Sequence, residues 1–394
     1  MKKSLLAVAA MTAFAGAAQA QSSVTIYGVL DVGYQNQKSD GASTSATTKA
    51  NNSFIGTSAE QTSRLGFKGT EDLGGGSSAF FTVETGLQPT NTTASQWNNR
   101  QSFAGLKKNG IGQTTIGTQY TPVFQALSAT DVGQTNNMVG SAVYPQQSAN
   151  AGNGNPGTGP FAAPTSASNA NDGVTVRTSN TIQAQSDNFA GFTLGASYTQ
   201  NATTTTPTTT SETKNNYTGW GVKLDYTWQK LYVAAAMNRL KSDNLSPTTT
   251  LTSPTPAIWN TAAGGVNTQD NQFYAGATYD FGILKAYLQY ISRKDTSTLN
   301  TNYFAKRSAQ QIGVRSYITP TIEGWASWGN GKVTSWGAGS PNANFVAWQA
   351  GLNYYLSKRT NLYGIYGANN LSSAAPVNPA LNTNAFALGV RHTF

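Results

Sequence analysis

The stretch GWGVKLDYTW, residues 219–228, alternates without a break: Trp220, Val222, Leu224, Tyr226 and Trp228 fall on one side, Gly221, Lys223, Asp225 and Thr227 on the other. Successive strand side chains point to opposite faces, so a period of two specifies a two-faced strand and argues against a helix, whose period is 3.6. The pattern recurs at 272–281, where Phe273, Ala275, Ala277, Tyr279 and Phe281 oppose Gln272, Tyr274, Gly276, Thr278 and Asp280. It recurs again where Ile312, Val314 and Ile318 oppose Gln311, Arg315 and Thr319. Segments of this kind are expected at 24–36, 64–72, 77–87, 99–108, 112–120, 174–187, 191–200, 216–229, 231–241, 270–281, 283–293, 308–319, 321–331, 345–357, 360–369 and 383–394. That is an even number, sixteen, and their lengths suit tilted strands crossing a bilayer, which need about 9–11 residues.

The connections alternate between long and very short. Residues 72–76 (DLGGG), 109–111 (NGI), 188–191 (NFAG), 229–230, 281–282, 319–320 and 357–359 are tight, whereas 37–63, the Thr-rich 200–214, 242–269 and 370–382 are long and polar. In an up-and-down meander every second connection lies on the same side. Short turns on one rim and long loops on the other predict an all-β fold: a sixteen-stranded antiparallel transmembrane β-barrel with periplasmic turns and extracellular loops. A secreted all-β sandwich or adhesin is the alternative, but its inner faces should be rich in Leu, Ile and Val. Here the apolar face is often Ala, Gly, Tyr or Trp, opposite Gln, Thr, Lys and Asp. Tyr34, Trp228, Tyr279, Phe281, Tyr290, Trp348 and Tyr355 close the apolar faces, where a barrel carries its interfacial aromatic girdles.

The mean hydropathy of −0.36 would suit a soluble protein, but a strand shows lipid only every second residue, so that measure is blind to barrels. Lys2 and Lys3, an apolar run from Leu5 to Ala18, and Ala18-Gln19-Ala20 read as an export signal over 1–20, leaving 21–394 as one barrel domain. Without Lys2 and Lys3 the 25 basic residues become 23 against 16 acidic, a net charge of +7, with no block of like charge to serve as a nucleic-acid arm. Cysteine is absent, so no disulfide framework stabilises the exported chain.

The chain ends GVRHTF, with Phe386, Leu388, Val390, His392 and Phe394 on one parity. A last strand that pairs with the first leaves no unsatisfied edge in lipid, which explains an ordered aromatic at the final position. Together with SSVTIYGVLDVGY at 22–34 and SRLGFKGTEDLGGG at 63–76, this ending resembles the general diffusion porins of Gram-negative outer membranes, in the neisserial and related β-proteobacterial branch. The resemblance implies a homotrimer in the outer membrane, in contact with its lipid and lipopolysaccharide, through which small hydrophilic solutes and anions diffuse. It also implies that Phe386, Leu388, Val390, His392 and Phe394 are read by the barrel-assembly machinery; His392, being only amphipathic, departs from the pattern. TPVFQALSATDVG, 121–133, resembles the third loop that folds into the pore, which would set Asp131 as the acidic side of a constriction. Arg64 and Arg177 resemble members of its basic side. A third basic position is similar to Arg100, or to Gln101 if the register differs by one.

Parity alone places Arg64, Lys68, Arg177, Lys223, Lys285, Arg315 and Arg391 inward, against Asp31, Glu84, Asp225 and Asp280. A charged side chain facing lipid at midplane would cost about 2–4 kcal/mol. The basic excess predicts an anion preference and a field across the pore. A substrate-specific channel lined by Tyr274 or Trp325 is the second reading. An enzyme would have to use His392, the one histidine, at the membrane rim; no GxSxG or P-loop pattern occurs, and a GxGxxG at Gly152, Gly154 and Gly157 lacks the strand and helix that a dinucleotide site needs. No cofactor or metal is expected.

Overall fold

A computed structural model describes residues 23–42, 47–90, 100–145, 173–205, 213–245, 268–298, 301, 304–335, 342–372 and 381–394. The expected export signal, the glycine motif and the Asn/Gly/Pro-rich stretch 146–172 lie outside the described residues. The strands are β1 (Ser23–Ala42), β2 (Thr47–Thr57), β3 (Arg64–Gly74), β4 (Ser77–Gly86), β5 (Ser102–Lys108), β6 (Gly112–Tyr120), β7 (Arg177–Ser186), β8 (Phe192–Thr205) and β9 (Thr213–Trp228). They continue as β10 (Leu231–Leu245), β11 (Thr268–Asp280), β12 (Lys285–Ser297), β13 (Phe304–Thr319), β14 (Ile322–Ser335), β15 (Asn342–Tyr355), β16 (Thr360–Leu371) and β17 (Leu381–Thr393). One helix, α1 (Pro122–Thr130), follows β6.

Each strand from β3 onward pairs antiparallel with the next, and β17 pairs with β1 from Val29↔Thr393 to Gly41↔Leu381. The sheet is therefore closed. The polar stretch after the first strand, expected to be loop, contains β2, which pairs with β1 over Val32–Ala42 while β3 pairs with it over Ser23–Val29. Thus β2 and β3 are two halves of one stave, and the seventeen strands make a sixteen-stranded barrel.

Residues 58–63 interrupt that stave and turn into the lumen. Asp31 organises the interruption: the amides of Glu60 and Gln61 donate to its Oδ2 at 2.8 and 2.6 Å, and the Tyr363 hydroxyl donates to its Oδ1 at 2.6 Å. Asp31 keeps its inward parity but is fully buried, so it builds the wall rather than lining the water path.

The predicted parity holds along the strands. Trp220, Val222, Leu224 and Trp228 are exposed on the outside; Lys223 and Asp225 are buried inside. Tyr34, Trp228, Tyr279, Phe281, Tyr290 and Trp348 face outward as expected. Tyr355 does not: its hydroxyl donates to Glu323 Oε2 at 3.0 Å, and the neighbouring Tyr354 takes the outward place. The short connections gather on one rim. Gly74, Gly75 and Gly76 have φ of 80°, 59° and 74°, a left-handed run that only glycine adopts without strain.

Phe386, Leu388, Val390, His392 and Phe394 share the outward parity, and the His392 and Phe394 rings stack at 6.5 Å. The wall does run to the final residue, because the Gly28 amide donates to the Phe394 carbonyl at 3.0 Å and the Phe394 amide to Gly28 at 3.2 Å. The Phe394 ring lies over Gly28, where any Cβ would collide with it. Gly28→Val should therefore displace the terminal ring at the cost typical of overpacking, about 1–3 kcal/mol. The expected outcome is a lower temperature for the heat-dependent gel shift that reports barrel unfolding; an unchanged transition would show that this contact does not support closure.

Candidate functional site

The inside of the barrel is crossed by residues 121–145. Pro122 at the first helical position and Thr121, whose hydroxyl accepts from the Phe124 amide at 3.2 Å, start α1. Thr121 also donates to the Thr175 carbonyl at 2.6 Å, clamping the start of the segment to the approach to β7. Val123, Phe124, Ala126 and Leu127 bury against Ala234, Ala236, Tyr274 and Ile291 of the inner wall. The interior is thus not uniformly polar. Beneath the inward loop it carries a small apolar core.

Past the helix, the wall holds the loop through neutral amides on the lumen parity. The Gln349 amide donates to the carbonyls of Met138 and Val139 at 2.8 and 2.9 Å and exchanges hydrogen bonds with the Asn136 side chain. The Gln311 carbonyl oxygen accepts from the Ala142 amide at 2.7 Å, and its NH2 donates to Gln289 at 2.9 Å. Gln272 donates to Thr175 Oγ1 at 2.7 Å and accepts from the Thr175 amide at 2.9 Å. All four glutamines are at most 2% exposed. Glycines sit beside them: a Cβ at Gly367 would enter the Val139 carbonyl, and one at Gly329 would crowd Ala142. At its far end the loop docks on the interrupted stave, with the Asn137 amide donating to the Ala59 carbonyl at 3.0 Å and its side chain to the Ser58 carbonyl at 2.6 Å.

This seat moves two expected site residues. Asp131, expected to oppose the arginines, is 4% exposed and turned into the seam between loop and wall. The Thr135 amide donates to it at 2.6 Å, Gln311 at 3.4 Å and Gln289 at 3.5 Å, while burial pushes its carboxyl above the usual range. It is the only charged residue between 121 and 145, so the lumen edge of the loop, formed by Gln125, Ser128, Ala129, Gln134 and Thr135, is neutral. Arg315 also serves the seat. Its Nη2 donates to the Val132 carbonyl at 2.7 Å and its Nη1 pairs with Glu323 at 2.7 Å.

The basic side forms across the lumen, on β3 to β7. Glu84 receives Arg100 Nε and lies 3.6 Å from Arg64 Nε; Arg100 Nη2 donates to the Tyr120 hydroxyl at 2.9 Å, and the Arg177 guanidinium lies 5.6 Å from the Tyr120 ring. Arg100, and not Gln101, is therefore the third arginine of the group. Tyr144, close to them, is buried, and that burial pushes its pKa up to about 12. Two guanidinium groups share the Glu84 carboxylate here, and a third, Arg177, lies beside them against Tyr120.

The other inward charges are distributed. Lys223 pairs with Asp225 at 2.6 Å, and Arg391 approaches Glu60 at 3.5 Å while donating to Asn361 at 2.9 Å. Lys68 lies over Tyr27 at 5.6 Å and Lys285 over Tyr287 at 5.5 Å, whereas Asp280 caps the short turn before β12. Tyr274 and Trp325, considered as linings of a substrate path, are buried under the loop and against Gly351. Glu60 and the four glutamines were not expected; the one sequence signal for the latter is a Gln on the lumen parity of each of β11, β12, β13 and β15.

A family profile described as Gram-negative porin matches residues 7–374. An outer membrane porin protein of Bordetella pertussis is 29% identical across 100% of both chains, and outer membrane porin protein 32 of Delftia acidovorans is 30% identical over 92% of this chain and 88% of its own. Among solved structures, an anion-selective porin from Comamonas acidovorans superposes with a TM-score of 0.69 at 23% identity, covering 95% of this chain and 100% of its own. That match confirms the sixteen-stranded barrel.

Gln349→Ala should leave the Asn136 side chain and two carbonyls without their donor, about 1–3 kcal/mol for each unsatisfied buried group. The barrel should survive, while limited proteolysis cuts within 131–141 and single-channel traces become noisy. A protected loop and quiet traces would show that the amide is dispensable.

Proposed function

The chain belongs to the Gram-negative porin family, and on that footing we propose a general diffusion channel that favours small anions over cations. Family and fold point to an outer-membrane channel rather than an enzyme. The observation that carries the charge preference is the group formed by Arg64 and Arg100 on Glu84 with Arg177 beside Tyr120, facing the described loop edge within 121–145, which carries no charge. Inward-facing guanidinium groups offset part of the hydration that an anion gives up at a narrowing. The described loop edge opposite this group carries no acid, and the inward acids Asp270 and Glu323 of the far wall are each paired with an arginine, so the expected acid from the loop is missing from the field. The selectivity named for the Comamonas acidovorans porin agrees with this reading.

The same proposal includes export directed by residues 1–20, a homotrimer in contact with lipid and lipopolysaccharide, and recognition of the outward residues 386–394 by the barrel-assembly machinery. The exposed Leu388 and Phe394 are available on the outer face for that last step.

Arg64→Gln with Arg177→Gln tests the charge argument while leaving Arg100 to satisfy Glu84. At ~7 Å in water-like surroundings one unit charge contributes about 0.6 kcal/mol, of opposite sign for chloride and potassium, and salt about halves this, so removing two should move the chloride-to-potassium permeability ratio about fivefold to tenfold toward potassium. The reversal potential in a planar bilayer under a KCl gradient reads this directly. An unchanged ratio would reject the arginines as the selectivity determinant.

A further inference from the structure

Tyr120 stands on the wrong parity for its place. Along β6 the outward positions run Thr114, Ile116 and Thr118, with Ile116 exposed on the barrel wall, so strict alternation would send Tyr120 outward as well. A bulge redirects it. Thr118 is opposed by both Ser179 and Asn180, the register shifting between Gly117↔Thr181 and Gln119↔Thr178, and Asn180 takes a φ of 53°, which asparagine tolerates better than most side chains. Beyond the shift Tyr120 is in register with Arg177, and its side chain lies inward among Arg100, Arg177 and Phe124.

We propose that Tyr120 is the positioning residue of the basic group: it fixes Arg100 and Arg177 where a passing anion meets them, without cancelling their charge. The inference rests on the anion-preferring reading and deepens it. A phenol offers a cation two places, the hydroxyl oxygen at its edge and the negative face of its ring. Tyr120 uses both. Arg100 Nη2 donates to its hydroxyl at 2.9 Å, while the Arg177 guanidinium lies 5.6 Å from its ring centre. Two guanidinium groups gathered on one residue repel each other, and a second carboxylate beside Glu84 would hold them only by cancelling a positive charge of the wall. The neutral ring holds them and leaves the charge in place.

The ring is itself backed, so that it cannot swing away from the guanidinium groups. Phe124 of α1 packs on it at 4.8 Å, and Tyr144 packs on Phe124 at 5.8 Å. The Tyr120 carbonyl accepts from Gln125 Nε2 at 3.3 Å, and the next amide, that of Thr121, donates to the Val176 carbonyl at 3.1 Å. Both neighbours of the Tyr120–Arg177 pair are therefore fixed by their backbone.

The test is the reversal potential of the full barrel in a planar bilayer under a KCl gradient, for Tyr120→Phe and Tyr120→Leu, each first checked for folding by its heat-dependent gel shift. Tyr120→Leu removes both supports and should lower the chloride-to-potassium permeability ratio about twofold to threefold, although it removes no charge. Tyr120→Phe keeps the ring beside Arg177 and loses only the acceptor for Arg100, so its shift should have the same sign and be smaller. With Arg100→Gln and Arg177→Gln already in place, Tyr120→Leu should change the ratio no further. An unchanged ratio in both single variants would overturn the inference, and so would a change in conductance or noise alone, which would mean that Tyr120 only braces the loop. A shift of equal size in the background without the two arginines would also overturn it. Should the leucine variant not fold, the phenylalanine variant decides, and a wild-type ratio there rejects the role. Arg64→Gln with Arg177→Gln separates the two readings: no movement of the ratio there rejects the anion preference itself, whereas movement there and none at Tyr120 rejects this inference alone.

Discussion

Hydrocarbon offers no partner to a peptide N–H or C=O, so a membrane wall built of strands must satisfy its backbone within itself. The pairing of β1 with β17 meets that requirement, and the remaining features are arranged around it. The first stave is shared by two strands because β1 runs on past the point where the wall turns inward at residues 58–63. That turn would expose buried amides were it not for Asp31, whose carboxylate takes two of them and a tyrosine hydroxyl together. Closure of the barrel and construction of its interior thus meet at one carboxylate.

The inward loop is held by a different chemistry. A buried charge pair has to recover the cost of removing both ions from water, whereas a buried amide needs only its donors and acceptors matched. Four glutamines meet that condition, each donating and accepting, with glycines beside them so that the backbone of the loop can approach the wall. Two arginines join the seat: Arg315, which Glu323 neutralises, and Arg307, whose Nη2 donates to the Ala142 carbonyl at 2.5 Å. Two small apolar cores, one under α1 and one around Val132, Met138 and Val139, fill what the amides leave.

Much of the architecture was legible because a strand between lipid and water must alternate, and the alternation survives without knowledge of any partner. Strand number, parity, short turns and the ordered terminus follow from it. The segment TTKANNSFIGT of β2 escaped notice because its first seven residues are polar or small on both faces and only Phe54 and Ile55, the latter in register with Tyr34, carry an apolar signal. Asp131 and Tyr355 were misplaced for separate reasons. The residues of the inward loop have no fixed period from which to read direction, and Tyr355 follows Tyr354 at a strand end, where either tyrosine suits the girdle. The glutamine seat was invisible because Gln on the inward parity is equally what a wetted wall would carry.

The sealed position of Asp131 has a consequence for how such a channel can vary. The described part of the loop, 121–145, presents no charge to the lumen, and the wall strands β3 to β7 carry the arginines but do not form the loop's edge. On the proposed reading, sieving and electrostatic preference therefore rest on different parts of the chain. Mutation can retune one while the other is preserved, so two descendants of this barrel could share an exclusion size and prefer ions of opposite sign.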